Sequence, residues 1–234
     1  MALIVAASCV GIILGIVGLT GLDATLPARV LEISNDNAIT ALLLLMVSTI
    51  ILGMGLPSAV CYLLMAILVG SVLSKLQTAP LAAHLFIFYF GMMSMVTPPV
   101  ALAAYAGAAI AKADVMKAAF AAFRFSLVGF ALPFAFVLRP ELIMLTPENE
   151  PAAFLAITVN VLTTFVAIVG LASGLAGYAF DRIQAGWRIV LLILSLAVFF
   201  TRLQGSEMGV QLTAVALIIG SLSINFARSR RGDT

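Results

Sequence analysis

Two short stretches hold the residues able to do chemistry in this chain: Gly53-Met54-Gly55-Leu56-Pro57-Ser58 and Ser94-Met95-Val96-Thr97-Pro98-Pro99-Val100. Both combine helix-breaking residues with small hydroxyls inside apolar surroundings. Proline has no N–H, so Pro98 and Pro99 cannot serve as the i+4 donors of the Ser94 and Met95 carbonyls, and each biases its predecessor away from helical geometry. In lipid such oxygens need a partner, and irregular backbone is tolerated only where it is buried or lines a cavity. Gly53, Gly55 and Ser58 at one break, with Ser94, the Met95 carbonyl and Thr97 at the other, form a set of oxygen donors and close-approach residues suited to a hard cation. Midplane sites of secondary transporters are built this way: unwound carbonyls hold sodium or protons and half-helix N-termini face anionic substrate. Gly53, Ser58, Ser94 and Thr97 are the sodium candidates. Gly53, Gly55, Pro57, Ser58, Ser94, Met95, Thr97, Pro98 and Pro99 are the transport-site candidates. Proline and glycine are common in membrane helices, so a lone break would carry little. Two breaks in adjacent overlong segments carry more.

The elements that must position them follow from composition. Hydrophobic residues make up 63% of the chain and charged residues 9%, with mean hydropathy +1.21. Soluble domains carry about 25% charged residues. The expected fold is an all-α polytopic membrane protein. Residues 2–20 form a first apolar span with Gly11, Gly15 and Gly18 on a small-residue face, and 21–37, with Asp23, Arg29, Glu32 and Asp36, read as an interfacial amphipathic piece. From Asn37 to Ser74 there are 38 uncharged residues. As one helix they would reach roughly 57 Å, against a hydrocarbon core of about 30 Å. The segment 38–74 must therefore turn at Gly53–Pro57, and its arms of roughly 24 Å favour a re-entrant hairpin. A second overlong run, 81–112, reads as a discontinuous helix broken at Thr97-Pro98-Pro99. Residues 113–124, opened by Asp114, read as a surface helix. Spans follow near 125–145, 152–180, 187–202 and 210–226. The expected division is a transport region over 1–145 and C-terminal helices with a basic tail over 146–234.

Charge orients the chain. Eight basic residues, Lys112, Lys117, Arg124, Arg182, Arg188, Arg228, Arg230 and Arg231, fall on one side of the alternating loops, and four, Arg29, Lys75, Arg139 and Arg202, on the other. The positive-inside rule makes the first side and the C-terminus cytoplasmic, in a cytoplasmic (inner) membrane. No acid or base lies at the middle of an apolar segment, which disfavours proton relays and intramembrane hydrolases. His84, near the start of its helix, reads as a capped or interface residue. The cysteines, Cys9 and Cys61, sit inside apolar segments and define no disulfide framework. No phosphate loop, Cys/His cluster or Ser/His/Asp set is present, Arg228-Ser229-Arg230-Arg231 reads as a cytoplasmic anchor, and no nucleic-acid binding and no enzyme activity are expected.

At this point a resemblance enters. Gly11-Ile12-Ile13-Leu14-Gly15, Leu19-Thr20-Gly21-Leu22, Leu52-Gly53-Met54-Gly55-Leu56-Pro57 with Tyr62, Ala83-His84-Leu85-Phe86, Phe88-Tyr89-Phe90, Thr97-Pro98-Pro99-Val100-Ala101 and Ala104-Tyr105 resemble the large permease subunit of tripartite ATP-independent periplasmic (TRAP) transporters, nearest the fused-permease type that works with TAXI binding proteins. Pro133-Phe134 and Arg139-Pro140-Glu141-Leu142 continue the match to about residue 145. Beyond it only hydropathy and a Gly177-Tyr178 step are similar. The resemblance implies an elevator-type, sodium-driven uptake system for an organic acid, a carboxylate delivered by a periplasmic substrate-binding protein, with sodium as coupling ion and no other cofactor. It matches Gly53–Ser58 to the tip of the family's second hairpin and Ser94–Pro99 to the discontinuous helix after it. Only the second of the family's two inverted repeats is visible. The resemblance thus implies the C-terminal portion of a longer permease, needing a first-repeat half or small membrane subunit and surrounding lipid. A non-transporting relic or membrane scaffold is the alternative reading.

Overall fold

The computed structural model describes residues 2–35, 37–201 and 207–232, with side chains described for Ser8, 11–35, 37–201 and 209–227. Asp36, Arg202, Asp233 and the side chains of Cys9, Arg228, Arg230 and Arg231 lie outside the described residues. Every regular element of the described residues is helical: α1 Ala2–Thr20, α2 Leu22–Ser34, α3 Ala38–Gly53, α4 Ser58–Lys75, α5 Pro80–Ser94, α6 Leu102–Ala111, α7 Val115–Ser126, α8 Leu132–Leu138, α9 Phe154–Ala176, α10 Ala185–Phe200 and α11 Glu207–Gly232. Short 3-10 segments at Leu127–Ala131 and Pro140–Ile143 flank α8. Among the described residues four helical runs are long and apolar enough to cross a membrane: Ser58–Lys75, Val115–Leu138, Phe154–Ala176 and Gly209–Ala227. Gly11–Thr20 and Leu22–Ser34 pass together as a pair bent by 63°. Leu19, Ile110, Phe125 and Phe154 stand largely exposed, as side chains facing lipid do. The protein is an all-α polytopic membrane protein.

The chain divides into two compact units, Met1–Pro133 and Phe134–Thr234. In the first, the hairpin arms α3 and α4 pack on each other and on α5. Asn37 opens α3, its Oδ1 accepting from the Thr40 N–H at 3.1 Å. Pro57 and Pro80 stand at the starts of α4 and α5, where a missing N–H costs nothing. α4 buries Val60, Cys61, Leu64, Met65, Leu68, Val69, Val72 and Leu73, a helical stripe. Lipid tails are as apolar as leucine, so this stripe gains by close packing and not by escape from water. Asp114 caps α7 through its carboxylate and the Lys117 N–H at 2.8 Å. From α7 the helical run continues through the 3-10 turn into α8 and stops at Leu138, ahead of the Arg139-Pro140 step.

In the second unit α9, α10 and α11 pack together. α9 offers a seam of small and polar residues, Asn160, Thr163, Thr164, Ala167, Gly170 and Gly174. A Cβ on Gly170 would stand 2.5 Å from Ser195 Oγ and 2.9 Å from an Ile218 methyl carbon. Only glycine lets α10 and α11 approach there.

Candidate functional site

The two breaks fall where glycine and proline stop the helices, between Gly53 and Ser58 and between Ser94 and Leu102. Gly53 ends α3, Gly55 turns the chain at φ +81, and Pro57 leads into α4. At the second break α5 stops at Ser94, and α6 resumes after Ala101, which adopts a left-handed φ of 35. A residue with a Cβ pays about 1–2 kcal/mol for that conformation. The Pro98–Pro99 peptide is cis.

Tip and break meet through Ser94. Its side chain is fully buried, and Oγ donates to the Gly91 carbonyl of its own helix at 2.7 Å and to the Gly53 carbonyl of the hairpin at 3.1 Å. One hydroxyl proton is shared between the two acceptors, and the Cys61 thiol is hydrogen-bonded to the same side chain. The approach is so close that a Cβ on Gly53 would lie 2.6 Å from Cys61 Sγ and 2.9 Å from Ser94 Oγ, and one on Gly91 would lie 3.1 Å from Cys61 Sγ. Gly53, Cys61, Gly91 and Ser94 thus form one contact among α3, α4 and α5. On the far side, a Cβ on Gly55 would stand 3.7 Å from a Val100 methyl carbon, so the turn of the hairpin rests on the end of the break.

The sequence leads one to expect unpartnered carbonyls at Ser94 and Met95, and here the structure corrects the reading. The Ser94 carbonyl accepts from the Thr97 N–H at 3.4 Å, and the Met95 carbonyl accepts from the Ala103 N–H at 3.0 Å. The N–H groups that replace the missing i+4 donors come from a tight turn and from the first turn of α6, folded back over the break. Thr97, 9% exposed, donates its hydroxyl to the Met93 carbonyl at 2.7 Å, and its own carbonyl accepts from the Ala101 N–H at 3.2 Å. The Tyr105 hydroxyl donates to the Pro99 carbonyl. Among the described residues the break carbonyls that take no hydrogen bond are those of Val96, Pro98 and Val100.

The expected residues therefore divide. Gly53 and Ser94 are joined directly, Gly55 reaches the break through Val100, and Thr97, Pro98 and Pro99 shape the turn. Pro57 and Ser58 open α4, exposed and half-buried, and no hydrogen bond joins them to the break among the described residues. Sequence reasoning missed the contacts of Cys61 and Gly91, and it named Val100 and Tyr105 within motifs without giving either a role. Their signal was weak because each is an apolar or aromatic residue whose role is contact across helices. Phe90, beside the break, is fully buried, with ring centroids 4.8 Å from Phe86 and 5.9 Å from Phe130, and it packs. His84 accepts or donates at Nδ1 with the Tyr62 hydroxyl, 3.0 Å away, across α4 and α5. Among the described residues no three His, Cys, Asp or Glu side chains converge as a metal site.

Broken helices within an all-α polytopic membrane protein are a feature that secondary transporters share. The profile of the DctM component of tripartite ATP-independent periplasmic transporters matches residues 1–150, and the chain belongs to that family. It is a permease component of a transporter, and both breaks lie inside the matched region. Comparison with curated proteins and with solved structures returns no match.

Proposed function

We propose that this chain is the second-repeat part of a sodium-coupled permease that takes up an organic acid delivered by a periplasmic substrate-binding protein. The observation that carries the reading is the buried Ser94 hydroxyl, which binds the Gly53 carbonyl at 3.1 Å and so makes tip and break a single unit. A cation held at the break would then be felt directly by the hairpin. With the Ser94 and Met95 carbonyls already engaged, the seat shifts within the same stretch. Its oxygens are the carbonyls of Val96, Pro98 and Val100, with the Thr97 hydroxyl oxygen beside them and Ser94 holding the tip against them. Neutral oxygens compensate one positive charge better than two, which favours sodium over a divalent ion. The start of α4 at Pro57 and Ser58, with its unpaired N–H groups and positive dipole end, suits the carboxylate. The other half of the site belongs to a first-repeat half, and the chain lies in a cytoplasmic membrane with its C-terminus inside.

The test is uptake into proteoliposomes that contain the complete permease, including this chain, with its binding protein. A sodium gradient should drive accumulation and a potassium gradient should not. Thr97→Ala should raise the sodium concentration for half-maximal uptake about fivefold, the worth of one contact of ~1 kcal/mol, with only a modest fall in melting temperature from the lost bond to the Met93 carbonyl. Pro98→Ala should weaken coupling in the same way. Equal uptake in sodium and potassium, or full sodium coupling in both variants, would overturn the mechanism.

A further inference from the structure

The C-terminal unit, outside the region shared with the family, has a cavity of its own. It lies where α9 stops at Ala176, α10 begins at Ala185 and the apolar run of α11 ends at Ala227. The last apolar residues of α11 are followed directly by Arg228, as at the end of a membrane span. Arg182, Gln184, Trp187 and Asn225 form the polar side of the cavity, and Leu191 and Leu222 the apolar side. Leu222 also lines a second groove between α9 and α11, whose walls are Phe165, Val169, Ile219 and Phe226. The polar cavity and this outward-facing apolar groove share Leu222.

The charges at the mouth are unevenly engaged. Arg188 is spent on the end of α9, donating from Nε to the Gly174 carbonyl at 3.1 Å and from Nη2 to the Leu175 carbonyl at 3.3 Å. Asn225 is spent on the loop, its Oδ1 accepting from the Phe180 and Asp181 N–H groups at 3.0 and 2.9 Å. The Asp181 carboxylate is turned back on the backbone, accepting from the Arg182 N–H at 2.6 Å. The Arg182 guanidinium is left exposed, and no described acid pairs with it. Beside it Trp187, the single tryptophan, is 48% exposed. The sequence adds Arg228, Arg230 and Arg231 within two turns of Asn225.

We propose that this cleft binds an anionic phospholipid, with its phosphate on Arg182, the Trp187 indole N–H as a second donor and one acyl chain in the groove beyond Leu222. A guanidinium fork matches two phosphate oxygens, and an indole at the interface offers a ring to the chain and an N–H to the head group. A free phosphate would use the mouth alone and leave the adjoining apolar groove empty, so the lipid is the occupant that fits both.

Trp187 reports on the site directly. The purified chain in detergent micelles is titrated with phosphatidylglycerol or phosphatidylcholine carrying brominated acyl chains, and tryptophan quenching is read. Phosphatidylglycerol should reach half-quenching at about fivefold lower mole fraction, matching the ~1 kcal/mol that one basic side chain is worth at an anionic surface. Arg182→Gln should bring the two lipids level, and Arg182→Lys should keep most of the difference. Circular dichroism melts confirm that both variants fold, as an exposed position leads one to expect. Equal quenching by the two lipids in the native chain, or an undiminished preference in Arg182→Gln, would overturn the proposal. So would full displacement of phosphatidylglycerol by inorganic phosphate, which would make the ligand a free anion.

Discussion

At Ser94 a single hydroxyl carries two tasks that the sequence shows only as one. It closes the end of its own helix through the Gly91 carbonyl, and it fastens the hairpin through the Gly53 carbonyl. Removing it leaves a buried carbonyl short of a donor, which costs about 1 kcal/mol. Ser94→Ala should therefore lower stability by that amount, read as a modest fall in melting temperature, while the hairpin loses its tie to the break and sodium coupling weakens more than stability does. Gly53→Ala acts on the same contact from the other side. Its methyl group would stand 2.6 Å from Cys61 Sγ and 2.9 Å from Ser94 Oγ, and neither Cys61 nor Ser94 has room to retreat in a fully buried cluster. Overpacking of this kind costs about 1–3 kcal/mol, so Gly53→Ala should melt below Ser94→Ala in the same measurement.

At the scale of elements, the starts of α6 and α7 show how far local chemistry reaches. Asp114 behaves as its type and position demand. It caps α7 at 2.8 Å from the Lys117 N–H, and Asp114→Ala should cost ~1 kcal/mol in thermal unfolding. Ala101 does the opposite, holding a left-handed φ of 35 with a Cβ that disfavours it. Ala101→Gly removes that cost but frees the unfolded chain. A net gain below about 1 kcal/mol is expected, together with a looser break and a higher sodium requirement. A variant with lower stability and unchanged coupling would mean that Ala101 serves packing alone. The contrast also explains what was legible beforehand. The positions of both breaks could be read because glycine and proline act on their own backbone, within a few residues. The fate of the Ser94 and Met95 carbonyls could not be read, because the Met95 partner, the Ala103 N–H, arrives only after the turn at Ala101 folds α6 back. The carbonyls of Val96, Pro98 and Val100 were hidden for the same reason. The contacts of Cys61, Gly91 and Val100 were invisible because contact between helices leaves no spacing signature in an apolar run.

At the scale of the whole molecule, the chain holds a family-matched region, residues 1–150, and a second unit that begins at Phe134, so Arg139 belongs to both. It is 1% exposed, and its partners are neutral: Nε donates to the Thr201 carbonyl at 2.9 Å, Nη1 lies 3.5 Å from Thr164 Oγ1, and the Gln211 amide oxygen, oriented by this network, accepts from Nη1 at 2.7 Å and from Nη2. One side chain thereby ties the middle of α9, the end of α10 and the first turns of α11 to the stretch that follows α8. A guanidinium stays charged in folded and unfolded chains alike across the ordinary pH range, so it adds no pH dependence to stability there. Arg139→Met removes the charge but strands the Thr201 carbonyl and the Gln211 oxygen, a loss of about 2–3 kcal/mol. Trp187 lies in the same unit and gives a local readout of its melting. The gap between native and variant melting temperatures should stay constant from pH 6 to pH 9. A gap that narrowed toward pH 4 would instead reveal a carboxylate as the true counterpart of Arg139, and the second unit would then be held by an ion pair and not by a cation among neutral oxygens.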